Sequence, residues 1–147
     1  MARKNIGNSS LFDSALSNHK VMHDFDDIYK LVDWGKIEAL LACVHSSSCG
    51  GTSYPPLIKF RAMLLQVWHK LSDPEAEKQL YRDLLFRRFC GLSLMDDVPD
   101  HSTISRFRNH LIAKGGAPFG LDRNEDSLRE FLSLSLRTAT TSTLLSQ

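Results

Sequence analysis

Between Pro99 and Ile112 the chain reads DHSTISRFRNHL, and the polar side chains in it share a chemistry. An arginine can donate paired hydrogen bonds to guanine O6 and N7. An asparagine can pair with adenine N6 and N7, and hydroxyls reach phosphates or base edges. Ser102, Thr103, Ser105, Arg106, Arg108 and Asn109 supply all of these side-chain types in one short run. Such groups read a duplex only if a rigid element presents them together. Pro99 biases Val98 toward extended backbone, and Asp100 can accept from the N–H groups of a first helical turn, so a helix is expected to begin here. At helical spacing Ile104, Phe107 and Leu111 share one side with Ile112 at its margin, while Ser102, Ser105, Arg106 and Asn109 face away. Arg108 falls near the apolar side, where its stem can pack while its head snorkels or meets a carboxylate. A Ser/Asn/Arg face without Glu/Lys pairs suits DNA reading, but it also suits a solvated helix with an ordinary cap; spacing alone leaves both open.

The elements that would hold this helix lie upstream. LSDPEAEKQLYRDLLFRRFCG is expected to form one helix over residues 74–88, with Asp73 as its cap and Pro74 in its first position. Glu75 and Glu77 would favour the positive end of its dipole, and Ala76, Leu80 and Leu84 would share one face, with Tyr81 and Leu85 beside them. Arg87 and Arg88 fall in the last turn, and Gly91 can supply the left-handed stop. In helix-turn-helix docking the first helix crosses the DNA backbone while the start of the second meets the bases, which makes Arg87 and Arg88 further candidate DNA contacts. The connector LSLMDDVPD is longer than the usual short turn, so the motif would be a variant. Further upstream, Pro56 opens a helix running to about Lys70. Leu57, Phe60, Leu64, Val67 and Leu71 recur there in steps of three and four residues, and Met63, Leu65 and Trp68 widen the stripe. HSSSCGGTSYPP reads as a loop. Before it, Asp33 would cap a short helix with Trp34, Ile37, Leu40, Leu41 and Val44 on one face. No segment alternates with a strand's period. The expected fold is all-α: a flexible arm over residues 1–20, a helical domain over 21–114 and a poorly defined tail over 115–147.

Composition narrows the function classes. A chain of 147 residues with 42% hydrophobic and 24% charged residues suits one globular domain with tails. No apolar run is long enough to cross a bilayer, and the basic N-terminus lacks the apolar region of a secretory signal, so a cytoplasmic location is expected. Cys43, Cys49 and Cys90 form no even-numbered framework and read as free thiols. Neither Cys43-Val-His45-Ser-Ser-Ser-Cys49 nor the pair His19 and His23 matches a zinc spacing. Net charge is only +1, but residues 54–114 hold ten Lys/Arg against seven Asp/Glu, and no acidic residue occurs from His101 to Leu121. The positive field is therefore local and modest. Asp96, Asp97, Asp100 and His101 cluster on one short connector, whereas a two-metal site needs carboxylates converging from separate elements; capping and solvation account for them.

Several phrases in one order resemble the N-terminal domain of bacterial insertion-sequence transposases of the InsH type. They are DWGKIEALLACV, then YPPLIKFRAMLLQVWHKLSDPEAEKQLYRDLLFRRFCGLSL, then DDVPDHSTISRFRNHL, between Phe25 and Lys114. The most specific parts are Leu71-Ser72-Asp73, Phe86-Arg87-Arg88-Phe89 with Gly91-Leu92, and Val98-Pro99-Asp100 followed by Ser102-Thr103-Ile104 and Phe107-Arg108. The resemblance implies a helical domain that recognises the terminal inverted repeats of a mobile element in double-stranded DNA. It also implies self-association or association with an intact transposase, and no membrane partner. In the family a catalytic domain with an Asp-Asp-Glu triad follows and binds two Mg²⁺ ions; no cofactor is implied for this chain itself. The family's first catalytic Asp lies in a short Asp-Ala phrase past the matched region, and this sequence has none. Beyond Lys114 the composition changes, with nine of the 21 residues from Ser127 onward being Ser or Thr. A truncated or frameshifted transposase, without catalysis of its own, is the expectation. The family's loop near residues 46–53 often carries basic residues, whereas HSSSCGGT carries none.

Two other readings stand beside this one. The Phe/Leu/Trp-rich helix and the FRRF turn could serve a protein partner rather than a core, and the chain could be a non-functional transposase remnant.

Overall fold

The helix that opens at Pro56 is buried on nearly all sides, and the rest of the domain is arranged around it. The protein's structure, a computed structural model, describes residue 6 and residues 11–18, 20, 25–44 and 54–115. The readings made for His19, His23, His45, Cys49, the loop over 46–53 and the tail over 116–147 lie outside the described residues, as do the side chains of Cys43, Val44 and Lys114. Among the described residues there are seven helices and no strand, so the fold is all-α. In chain order they are α1 (Leu11–Ser17), α2 (Asp26–Leu31), α3 (Trp34–Val44), α4 (Pro56–His69), α5 (Asp73–Arg82), α6 (Leu84–Cys90) and α7 (His101–Gly115).

α4 touches α3, α5, α6 and α7. Its burial is wider than the expected stripe. Ile58, Lys59, Phe60, Arg61, Ala62, Met63, Leu64, Leu65 and Gln66 are all buried, while Leu57 and Val67 are only partly so. Burying Lys59, Arg61 and Gln66 without partners would be costly, and each has one. The Lys59 ammonium lies 4.7 Å from the Phe107 ring centroid. Arg61 stacks on Tyr29 and Trp34 and donates to the Tyr29 hydroxyl at 2.9 Å. Gln66 donates to Asp73 at 2.7 Å. α4 ends where Lys70 takes a left-handed conformation at φ 54° and its N–H bonds back to the Gln66 carbonyl.

The largest departure from expectation is that residues 74–88 are not one helix. Asp83 is extended (φ −107°, ψ 113°); it closes α5 and opens α6, its carboxylate accepting from the N–H groups of Leu85 at 2.8 Å and Phe86 at 3.4 Å. The cause is a phase conflict. In one continuous helix Phe89 would point opposite to Leu80, yet both are core residues, exposed by only 2% and 1%. The break at Asp83 rotates α6 so that Phe86, Phe89 and Cys90 are buried as well. The cap of α5 is also one residue earlier than expected. Ser72 and Glu75 form a reciprocal capping box, which leaves the Asp73 carboxylate available elsewhere.

Toward the N-terminus, Asp33 caps α3 as anticipated, accepting from the Lys36 N–H at 3.2 Å. α2 and α1 were not anticipated. The stretch expected to be a periodicity-free arm contains α1, whose Asp13 accepts from the Leu94 N–H at 3.2 Å. Phe25, Tyr29 and Trp34 gather around Phe89 with ring centroids 5.4–6.5 Å apart, and Trp68 completes the group. The FRRF turn is thus core, not a free aromatic surface.

Candidate nucleic-acid interface

α7 begins where the sequence placed it. Asp100 accepts from the Thr103 N–H at 2.7 Å, and its other oxygen accepts from the Ser102 hydroxyl at 2.9 Å. The bond to the Thr103 side chain, then that to its N–H and the one to Ser102, hold the Asp100 carboxyl below its ordinary pKa, which favours the ionised cap. Val98 and Pro99 are buried just before it, fixing where the helix enters the domain. Ile104, Phe107 and Leu111 are 0%, 6% and 2% exposed, so the apolar stripe is seated on the core. Arg106 and Asn109 are exposed, and Ser102, Thr103 and Ser105 half-exposed. Arg106 donates to the Ser102 hydroxyl at 2.9 Å, one turn back, which lays the guanidinium along the outer face toward the start of the helix.

Two ties fix α7 against α5. At the first, Glu77 accepts from the His101 N–H at 2.9 Å and lies 2.8 Å from the His101 ring Nδ1. The hydrogen bond from the His101 backbone holds the Glu77 carboxyl below its ordinary pKa. At the second, Arg108 binds both oxygens of Asp73, one of them at 3.0 Å, and also donates to the Gln66 side-chain oxygen at 2.9 Å. Arg108 is the largest cause of a lowered Asp73 pKa, against the opposing effect of burial, with Gln66 adding to the lowering. Arg108, Asp73 and Gln66 thereby join α7, α5 and α4.

The eight candidate contacts therefore divide. Ser102, Thr103, Ser105, Arg106 and Asn109 sit together on α7. Arg108, Arg87 and Arg88 do not join them. The Arg108 head meets a carboxylate, one of the two fates open from its position on the wheel. Arg87 is 7% exposed and donates to the backbone carbonyls of Leu80, Ser93, Leu94 and Asp96, at 2.6 Å to Ser93 and Asp96. Arg88 reaches back to Asp26 at 3.3 Å. These arginines were expected to contact DNA as last-turn cations of a surface helix; the rotation of α6 turns Arg87 inward and Arg88 toward α2 instead.

Burial also corrects the reading of the local charge. Of the ten basic residues between 54 and 114, Lys59, Arg61 and Arg87 are buried, and Arg88 and Arg108 are ion-paired. Burial pushes the Lys59 pKa down. The exposed cations among the described residues of this segment are Lys70, Lys78, Arg82 and Arg106.

The acids of the connector have structural uses. Asp96 accepts from the Ser93 N–H at 2.7 Å and Asp100 caps α7. Among the described residues no group of three or more His, Cys, Asp or Glu side chains could hold a metal ion, and no helix is long and apolar enough to cross a membrane. Cys90 is fully buried, and desolvation pushes its thiol up to about 12, which makes it unreactive.

Sequence reasoning missed both ties between α5 and α7. The signals present were Ser72-x-x-Glu75, the pattern of a capping box, and a carboxylate at Asp73 that such a box leaves over. Nothing local could pair Asp73 with Arg108, which lies 35 residues away.

No solved structure matches this chain. A family model described as Transposase domain (DUF772) matches residues 14–110, which takes in every element from the second half of α1 through the polar face of α7. The chain belongs to that family of transposase domains.

Proposed function

We propose that this domain recognises duplex DNA at the terminal inverted repeats of a mobile element, with α7 in the major groove, and that it contributes binding rather than strand cleavage to transposition. The observation that carries the reading is the division of α7 into a stripe locked to the core and an outer face of Ser102, Ser105, Arg106 and Asn109. A helix fits the major groove, and Arg and Asn are the side chains that discriminate guanine and adenine there. Membership in a transposase family supports the biological setting. Binding without cutting is supported by the uses already made of the carboxylates: Asp73 pairs with Arg108, Asp83 and Asp100 cap helices, and Glu77 caps across elements. Self-association, or association with an intact transposase, fits the same setting.

The domain is a helix-turn-helix variant in this reading, with α5 as the supporting helix, since α5 rather than α6 is fastened to α7 by the two ties. Fluorescence anisotropy with a labelled duplex carrying the element's terminal repeat tests the proposal. Arg106→Ala should weaken binding to that repeat by roughly 1–3 kcal/mol and leave binding to unrelated duplex nearly unchanged. Equal affinity of parent and variant for the repeat would count against α7 as the reader. A protein-interaction module makes the opposite forecast for salt, because an apolar interface barely responds to ionic strength while phosphate contacts weaken steeply.

A further inference from the structure

The two ties that hold α7 also fix the direction of α5. Stepping forward along α5 from Asp73 to Glu77 means stepping back along α7 from Arg108 to His101. The helices are antiparallel, and the C-terminal end of α5 lies beside the N-terminal end of α7. Tyr81 is one helical turn beyond Glu77 on the same side, so it emerges next to the start of α7. It is 62% exposed, unusual for a large aromatic side chain of a helix that packs on three others. Lys78 and Arg82 lie beside it, both toward the outer arc. Both are exposed, and neither has a hydrogen-bond or ion-pair partner among the described residues. The carboxylate nearest to them in sequence on that arc is Glu75, which is hydrogen-bonded back to Ser72 and interacts with Lys78 only through space, without an ion pair. Asp83, the next residue along, faces into α6 as its cap.

We infer that the outer face at the end of α5, formed by Lys78, Tyr81 and Arg82, is a phosphate-binding surface that grips the DNA backbone alongside the groove occupied by α7. The inference rests on the DNA-recognition reading above and adds a contact to it. Helices packed side by side have axes about 8–10 Å apart, and the major groove is about 12 Å wide, so a neighbour of a groove-seated helix lies over a flanking phosphate strand. Lys and Arg neutralise phosphates, and a tyrosine hydroxyl donates to a phosphate oxygen. The cations sit at the end of α5 that adjoins the base-reading end of α7, where Arg106 also points. Arg87 and Arg88, the basic pair that sequence alone would assign to the backbone, are engaged internally. Of the exposed cations between 54 and 114 among the described residues, Lys78 and Arg82 are the two at this end of α5.

The salt dependence of binding tests this directly. The full chain is titrated against a fluorescein-labelled duplex of mixed sequence over a range of salt concentrations, because non-specific binding is dominated by phosphate contacts. Parent, Lys78→Ala/Arg82→Ala, Lys78→Arg/Arg82→Lys, Tyr81→Phe and Arg106→Ala are compared. The double alanine variant should lower the slope of log affinity against log salt by about 1.8, the value for two lost phosphate contacts. The charge-retaining double variant should keep the parent slope. Tyr81→Phe should weaken binding without changing the slope, because the phenol is neutral. Thermal melts of all variants should match the parent, which separates a lost contact from a lost fold. If the double alanine variant keeps the parent slope while Arg106→Ala weakens binding to a duplex carrying the terminal repeat, the α5 surface is wrong and α7 stands. If the parent shows no salt-dependent binding to any duplex, both readings fall.

Discussion

Arg106 and Arg87 are the same residue type with opposite fates, and the difference lies in what each side chain meets. Arg106 is exposed and, among the described residues, its guanidinium hydrogen-bonds to Ser102 one turn back. Arg87 is buried and its guanidinium gathers four backbone carbonyls, three of them from the segment that joins α6 to α7. That segment has no regular structure of its own, so Arg87 supplies the donors its carbonyls need. Hydrogen bonds from a charged donor are worth more than neutral ones, and removing this group would strand several buried acceptors. Arg87→Ala should therefore destabilise the domain by about 3–4 kcal/mol, read from urea denaturation, and Arg87→Lys should recover only part of that because one ammonium cannot span the set. Arg106→Ala should change stability by less than about 0.5 kcal/mol, as expected for an exposed residue outside the core. The sequence could not separate these arginines, because the distinction depends on the path of the chain after Gly91. Arg108 was closer to legible: its place near the apolar stripe implied packing or a carboxylate, and Asp73 is that carboxylate.

Among the elements, those with their own punctuation were readable and those defined by neighbours were not. α4 follows from Pro56 and its apolar repeat, and α7 from Pro99, Asp100 and its stripe. The break between α5 and α6 was written in the sequence as a change of hydrophobic phase across Asp83, yet the local pattern Ala76, Leu80, Leu84 masked it. α2 is only six residues long, too short to announce itself by periodicity, and it sits where Arg61, Arg88 and Phe89 give it partners. At this scale the end of α4 is an opportunity. Lys70 holds φ 54°, a region costly for a residue with a Cβ. Lys70→Gly should relieve that cost, offset by the greater freedom of glycine in the unfolded chain, for a net gain of about 0.5 kcal/mol in thermal or urea unfolding. The α5–α7 ties carry a pH signature. Arg108 depresses the Asp73 pKa in the folded state, so the contribution of this pair is complete above the ordinary carboxylate range and is lost as pH falls through the depressed value. Asp73→Asn should lower stability at neutral pH and flatten the decline of stability in acid, measured by urea unfolding across pH; an unchanged acid limb would show that the pair contributes little.

For the whole molecule, charge counted along the chain and charge presented to a partner are different quantities. The basic excess of residues 54–114 is largely structural, with Lys59, Arg61 and Arg87 inside and Arg88 and Arg108 paired. What remains exposed is sparse and directional, concentrated where α5 ends and α7 begins. Under the proposed DNA-recognition reading, such an arrangement favours binding that depends on geometry over a broad electrostatic attraction, as suits a chain of net charge +1. Fold class and the apolar seating of α7 were legible because periodicity encodes them; the internal use of Lys59, Arg61, Arg87 and Arg88 was not, because burial is a property of the assembled domain. The most direct test of the central claim is selection of bound sequences from a randomised duplex library by the parent chain and by Arg106→Ala in parallel. The parent should enrich a defined sequence, and the variant should lose preference at one guanine while keeping the rest. Enrichment of the same sequence by both chains, or of none by the parent, would contradict it.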